Sequence, residues 1–145
     1  VEVGPGIVMD SYPVSLAQVL TNLAVNSLQH AFGPGRAGRI TIRATLGEGD
    51  EVRVEFSDDG RGIDPALHAR IFEPFFTTNH LLGGSGLGLY IVNQIVTRQL
   101  AGSIALQAGP GGGACFVIHF PRVARHVPDV GRILATLPRT LADEP

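Results

Sequence analysis

The sequence predicts an α+β fold, a two-layer sandwich in which helices cover one face of a mixed, mostly antiparallel sheet. Two pairs of strand-like segments are each joined by a turn rich in glycine, which is typical of antiparallel hairpins. Three other stretches carry helical spacing or helix-start signals. A strict alternation of strand and helix, which would indicate a parallel sheet, is absent.

The first third of the chain is predicted to hold a strand, a long helix and a hairpin. Residues 6–10 have the composition of a short strand, and Ser15 is a suitable N-cap for a helix that runs to about Phe32. The segments 39–46 and 51–59 alternate apolar and polar residues on either side of "GEGD". This alternation predicts a hairpin with one buried face.

The remaining elements are two helices and a second hairpin. The segment 64–72 predicts a short helix with proline in its first turn, and 73–86 has no periodicity and is predicted to be a loop. Residues 87–102 are apolar on most sides, which predicts a largely buried helix. The stretches "SIALQAG" and "ACFVIHFPR" flank "PGGG" and predict two more strands.

Length and composition restrict the possible functions. We expect one domain over 1–122 and a tail or linker over 123–145, which holds at most a short helix at about 129–136. The net charge of −2 argues against a nucleic-acid surface. All 11 basic residues are arginine, so no mechanism that needs a lysine is available. No signal peptide, initiator methionine or membrane-spanning run is present, so we expect a piece of a longer protein that makes no membrane contact itself.

The single cysteine, Cys115, excludes an internal disulfide. Its context, "GACFVIHF", predicts a small buried hydrophobic residue in a strand. A catalytic thiol is the less favoured interpretation.

A glycine-rich stretch, "GGSGLGLY" (83–90), opens the last predicted helix. A P-loop is excluded because it needs lysine, and the spacing Gly84-x-Gly86-x-Gly88 after a polar loop fits a dinucleotide fingerprint poorly. Two interpretations remain open on these residues alone. The glycines either let a lid fold over a nucleotide, with helix N-terminal amides facing its phosphates, or only make a tight turn.

Two further patterns favour the interpretation that the chain binds a nucleotide. Asn22, Asn26 and Gln29 form a carboxamide stripe on the first helix, and neutral amide oxygens suit a hard cation such as Mg2+. A solvated polar edge is the alternative.

Asp58 ends a strand in "SDDGRGID" (57–64), where its carboxylate could accept a hydrogen bond from an adenine amine. A simple Asp-Gly turn is the alternative there.

Together, "NLAVNSLQH" (22–30), "DDGRGI" (58–63), "IFEPFFTT" (71–78) and "GGSGLGL" (83–89) resemble the N, G1, F and G2 boxes of sensor histidine kinases, in order and at similar spacing. The resemblance covers about residues 7–121. It implies the Bergerat fold, shared with gyrase, MutL and heat-shock chaperone ATPases. It also implies ATP and Mg2+ as cofactors.

The resemblance implies a role for each motif residue. Asn26 would bind Mg2+, Asn22 would lie near the metal and the γ-phosphate, and Asp58 would bind adenine beside Gly62. Phe75 and Phe76 would anchor a lid that Gly84, Gly86 and Gly88 allow to close, while Leu87 and Leu89 tie its hinge to the core. The predicted nucleotide-binding set is completed by His30, Gly60, Ile63, Thr78 and Ser85.

The resemblance also implies a reaction and partners. Asn22 stands where hydrolysing relatives usually carry glutamate, so we expect phosphoryl transfer rather than hydrolysis. The acceptor would be a histidine on a dimerisation domain outside this chain, so we expect no autophosphorylation of the chain alone. A response regulator receiver domain would be the next acceptor, and the parent would be a homodimer with this domain in the cytoplasm, whether or not the parent is membrane-anchored.

Two departures from the family pattern stand out. Gln29 and Asn79 occupy positions where many kinases carry a basic residue, and His30 or His80 is a candidate to replace it. Other functions stay open as alternatives: a serine kinase of the anti-sigma-factor type, a Bergerat ATPase, or a degenerate module that senses nucleotide without transferring phosphate.

Overall fold

A computed structural model describes residues 1–78 and 85–124. In these residues the elements are β1 (Glu2–Val3), α1 (Pro13–Asn26), β2 (Ile40–Leu46), β3 (Glu51–Asp58), α2 (Gly88–Gln94), β4 (Ser103–Ala108) and β5 (Ala114–Pro121). Each helix continues into a wider π-helical turn, Ser27–Ala31 after α1 and Ile95–Gln99 after α2. The predicted tail helix at 129–136 lies outside the described residues.

The five strands of the described chain form one sheet in the order β1-β2-β3-β5-β4. The β2–β3, β3–β5 and β4–β5 pairs are antiparallel, and β1 joins β2 in parallel. The predicted α+β sandwich with a mixed, mostly antiparallel sheet is therefore confirmed. Both hairpins lie where the sequence predicted them.

The core lies between one face of the sheet and the two helices. The alternate residues Val52, Val54 and Phe56 of β3 are buried, and the helices pack onto them through residues such as Leu23 and Val92. Burying side chains of this size stabilises the fold by about 1.5–3 kcal/mol each, which makes this face the main source of stability. No helix among the residues described is long and apolar enough to span a membrane.

The two N-terminal predictions need correction. The strand predicted at 6–10 does not form, and the N-terminal strand is the short β1 (Glu2–Val3). Gly6 turns the chain at φ 76°, and within 6–10 only Asp10 makes a bridge, an isolated one with Val123. Ser15 is not the N-cap. The helix begins at Pro13, which fits the first turn because its missing N–H needs no partner there. The Ser15 hydroxyl donates to Gln99 Oε1 instead.

The segment predicted as a short helix over 64–72 is a single 3₁₀ turn, Pro65–Leu67, followed by further turns. Asp64 caps it, with Oδ1 accepting a hydrogen bond from the Ala66 N–H at 2.9 Å. The helix predicted over 87–102 is also shorter, ending with the π-helical turn at Gln99. Ala101 then adopts φ 53°, a left-handed conformation that ends the helix.

Candidate functional site

Two cavities meet beside the C-terminal part of α1. We call the first, of about 170 Å³, the Asp58 cavity; Asp58, Arg61, Gly62, Ile63, Asp64 and Thr78 are on its wall. The second, of about 380 Å³, is the loop cavity, with Asn22, Gln29, Phe76 and residues 85–89 on its wall. Asn26 and His30 line both cavities. A ligand could therefore extend from one into the other past these two side chains.

The carboxylate of Asp58 is held rigidly at the end of β3. Its Oδ2 accepts a hydrogen bond from the Ser27 hydroxyl at 2.8 Å, and its Oδ1 accepts from the backbone N–H of Gly60 at 3.0 Å and of Ala114 at 3.3 Å. Only 3% of Asp58 is exposed, so these bonds replace its lost hydration. An ionised carboxylate has about four acceptor sites, so one remains on Oδ2 for a ligand donor.

The carboxamide stripe of α1 faces the cavities as a helical period requires. Asn22 lines the loop cavity, and Asn26, one turn later, lines both cavities. No group of three or more His, Cys, Asp or Glu that could hold a metal occurs in residues 1–78 and 85–124. Asn22 and Asn26 are side chains on these walls that could offer neutral amide oxygens to a hard cation.

His30 lies on the π-helical turn where the two cavities meet. Its Nδ1 is buried and has no hydrogen-bond partner among the described residues. Burial lowers the pKa of His30 below its ordinary value of 6.5, and the positive charge of Arg61 lowers it further. The ring is therefore neutral near pH 7.

The residues just before α2 pack against Phe75 and Phe76. Gly86 has φ 68°, and a Cβ there would lie 2.5 Å from the backbone carbonyl carbon of Phe75, so no other residue fits without a shift. The Arg70 guanidinium lies over the Phe76 ring, 4.8 Å from its centroid. This packing fixes the edge of the loop cavity.

Most of the residues predicted for the site lie together on the walls of these cavities. Gly60 and Phe75 do not. Gly60 is buried against Ala31, where a Cβ would lie 2.4 Å from the Ala31 Cβ, and Phe75 is 70% exposed. Gly84, Asn79 and His80 lie outside the described residues. The residues on the walls are Asn22, Asn26, His30, Asp58, Gly62, Ile63, Phe76, Thr78, Ser85, Gly86, Leu87, Gly88 and Leu89.

The residues of the site that sequence reasoning missed include Ser27, Arg61 and Ala114. Ser27 was visible only as a small polar residue at a position of the apolar helical face, and its fully buried hydroxyl proves to hold Asp58. Arg61 is part of the motif "DDGRGI", but the sequence suggested no role for it. In the structure it lines the Asp58 cavity. Ala114 reaches Asp58 from β5, 56 residues away, which no local pattern could indicate.

Cys115 lies on β5 and is partly buried. Burial raises the pKa of its thiol above the ordinary value, and the negative charge of Glu55 raises it further. Because the thiolate is the reactive form, these surroundings do not suit a catalytic cysteine.

Comparison with known proteins agrees with this geometry. The family model of histidine kinase-, DNA gyrase B- and HSP90-like ATPases matches residues 11–124. The sensor histidine kinase ZraS of Salmonella typhi is 42% identical over 113 residues, which are 78% of this chain and 23% of that protein. The chain thus spans about a quarter of the length of this curated relative.

Solved structures lead to the same family. The nucleotide-free catalytic domain of histidine kinase ThkA is 32% identical with a TM-score of 0.66, covering 78% of this chain and 71% of that one. Full-length ShkA in complex with AMPPNP is 29% identical with a TM-score of 0.64, covering 88% and 27%. ThkA in complex with the response regulator protein TrrA is 31% identical with a TM-score of 0.58, covering 74% and 28%.

Proposed function

The chain belongs to the family of histidine kinase-, DNA gyrase B- and HSP90-like ATPases, as a catalytic domain of the sensor histidine kinase type, and we propose that it binds Mg-ATP across the two cavities. In this proposal the adenine occupies the Asp58 cavity and the phosphates extend into the loop cavity. The division into a domain over 1–122 and a tail or linker over 123–145 stays a prediction; the family model matches as far as residue 124.

The observation that carries this proposal is the free acceptor site on a carboxylate that is otherwise fully hydrogen-bonded. Asp58 is oriented by three bonds from the protein and lines the Asp58 cavity, so the remaining acceptor site on Oδ2 is held in place beside that cavity. A fixed acceptor recognises an exocyclic amine, and one of its acceptor sites stays unfilled when the amine is absent. Adenine has such an amine, and guanine presents a carbonyl oxygen at the same position.

The chemistry at the other end is positioning and charge neutralisation. Asn26 and Asn22 supply amide oxygens suited to a Mg2+ ion, which, when bound, would offset the charge of the phosphates. No carboxylate is found among the described residues that line the loop cavity; Asp58 and Asp64 both line the Asp58 cavity. An amide cannot take a proton from water, so slow hydrolysis and transfer to an external acceptor are the expected outcome.

The acceptor in this proposal is a histidine on a dimerisation domain of the parent protein. The phosphoryl group would then pass to an aspartate of a response regulator, by analogy with the ThkA–TrrA complex. The parent, as a homodimer, would place this domain in the cytoplasm. A serine kinase or ATPase of the same fold is not favoured by the relatives, which are sensor kinases.

The first test is calorimetric titration of the chain with a non-hydrolysable ATP analogue, with and without Mg2+. Asp58→Asn should weaken binding at least tenfold, because the new amide N–H₂ disrupts the acceptor pattern, and Asn26→Asp should change the dependence on Mg2+. The matched controls are Asp59→Asn, whose exposed carboxylate accepts from the Arg39 N–H, and Asn93→Asp on α2, and both should bind as the wild type does.

The second test follows transfer of label from γ-labelled ATP. The full-length parent should acquire acid-labile phosphate, as phosphohistidine does, and the present chain should not. Stable label on the chain alone would contradict the external acceptor. Nucleotide binding without any label on the parent would instead support a degenerate nucleotide-sensing module.

A further inference from the structure

The charges on the cavity walls pose a problem for a bound triphosphate. Among the described residues that line either cavity, Asp58 and Asp64 are anionic and Arg61 alone carries a fixed positive charge. Gln29, on the wall of the loop cavity, is neutral. ATP would bring about four negative charges beside two carboxylates, so a cation from the protein would favour its binding in addition to any metal ion.

Arg61 is anchored at this point by its backbone. Its N–H donates to the Ala31 carbonyl at 3.1 Å, and the preceding Gly60 is packed directly against Ala31 at the end of the π-helical turn. Gly62 follows at φ 73°, close to the Gly112 carbonyl oxygen. The backbone of Arg61 is therefore held beside the Asp58 cavity, and Arg61 forms part of its wall.

The guanidinium of Arg61 has no partner among the residues described. Its side chain makes no ion pair or hydrogen bond with them, whereas Arg43, Arg53, Arg70 and Arg122 each pair with a carboxylate. An exposed arginine at a cavity mouth keeps its bidentate donor pattern free for a ligand. That pattern matches phosphate oxygens better than any other side chain does.

His30 is the other basic group at the site, and it is a poor source of positive charge. Burial and the field of Arg61 both lower the pKa of His30, so the ring is neutral near pH 7. Arg61 and His30 lie on the wall of the same Asp58 cavity, and His30 also lines the loop cavity. A nucleotide that spans both cavities would pass its first phosphates through the junction of the two cavities.

We propose that Arg61 is the phosphate-binding cation of this site. Its guanidinium contacts the phosphates nearest the ribose, from the loop after β3. The assignment rests on the proposed nucleotide-binding function. It adds a specificity-determining residue, because it favours nucleotides over nucleosides.

The test compares adenosine, ADP and a non-hydrolysable ATP analogue by chemical-shift titration, which also measures weak binding. Arg61→Gln should weaken ADP and the ATP analogue about fivefold to tenfold and adenosine less than twofold. Arg61→Lys should fall between the wild type and Arg61→Gln. The effect should shrink when salt is raised from about 0.05 to 0.3 M, because an exposed charge is screened. Arg98→Gln is the matched control, since Arg98 is exposed and lies on neither cavity wall.

The outcomes separate this assignment from the function on which it rests. Unchanged ADP affinity in Arg61→Gln, or an equal loss for adenosine, would overturn the assignment while leaving nucleotide binding intact. Binding of none of the three compounds by the wild-type chain would overturn the proposed function and the assignment together. Adenosine binding by Arg61→Gln at wild-type strength shows that the variant is folded.

Discussion

Replacing Ser27 with alanine tests whether the buried hydroxyl holds the site together. Ser27 is fully buried, Asp58 is 3% exposed, and the bond from Ser27 Oγ to Asp58 Oδ2 is 2.8 Å long. Hydrogen bonds to charged groups contribute about 1.5–3 kcal/mol, and a buried acceptor that loses its donor costs a similar amount. We therefore expect Ser27→Ala to lower the free energy of unfolding by about 1.5–3 kcal/mol.

The assay is urea denaturation followed by circular dichroism, with Ser103→Ala as the control. Ser103 is exposed at the start of β4, so its substitution should change the free energy of unfolding by less than about 0.5 kcal/mol. The Asp58 cavity adjoins the carboxylate, so a water molecule in the cavity could donate the hydrogen bond that Ser27→Ala removes. The loss of unfolding free energy would then lie near the lower limit of the expected range. Equal stability of the two variants would refute the argument that Asp58 depends on Ser27.

The structure supports three further predictions. Gly113→Ala should lower the unfolding free energy by more than about 3 kcal/mol, because the new Cβ would lie 1.9 Å from the Asp58 carbonyl oxygen. A Cβ at Gly33 meets nothing within 4 Å, so Gly33→Ala should change the unfolding free energy little. Equal values for the two variants from urea denaturation would contradict this. Because the folded-state pKa of His30 lies below 6.5, the unfolded chain binds the extra proton first, and stability should fall as pH drops from 6.5 through that lower pKa. Urea denaturation at several pH values should show that the unfolding free energy of His30→Gln depends less on pH than that of the wild type. An unchanged pH dependence would exclude His30 as its source. Phe116→Ala empties a fully buried position between sheet and helices and should lower the unfolding free energy by about 3–5 kcal/mol in the same assay, with a loss under 1 kcal/mol inconsistent with this packing.

Local patterns in the sequence were sufficient for most of the fold. The alternation in 39–46 and 51–59 depends only on which neighbours face the same side of a strand, and the observed β2 and β3 follow it. The helical spacing after Pro13 likewise needs no knowledge of distant residues. Where the local signal was weak, as in the five residues 6–10, prediction failed, because the strand that formed was chosen by pairing with Arg43 and Ala44 of β2.

The sequence by itself determined the residue types of the site, since the carboxamides one turn apart and the Asp-Gly motif are local features. Only the tertiary structure decided how they are used. The register that opposes Ser57 and Cys115 places the Ala114 N–H on Asp58, and the packing of Gly60 on Ala31 places Arg61 at the cavity mouth. Such contacts join residues about 30 to 56 positions apart. They depend on strand register and layer packing, which are properties of the whole fold and leave no periodic trace in the sequence around each residue.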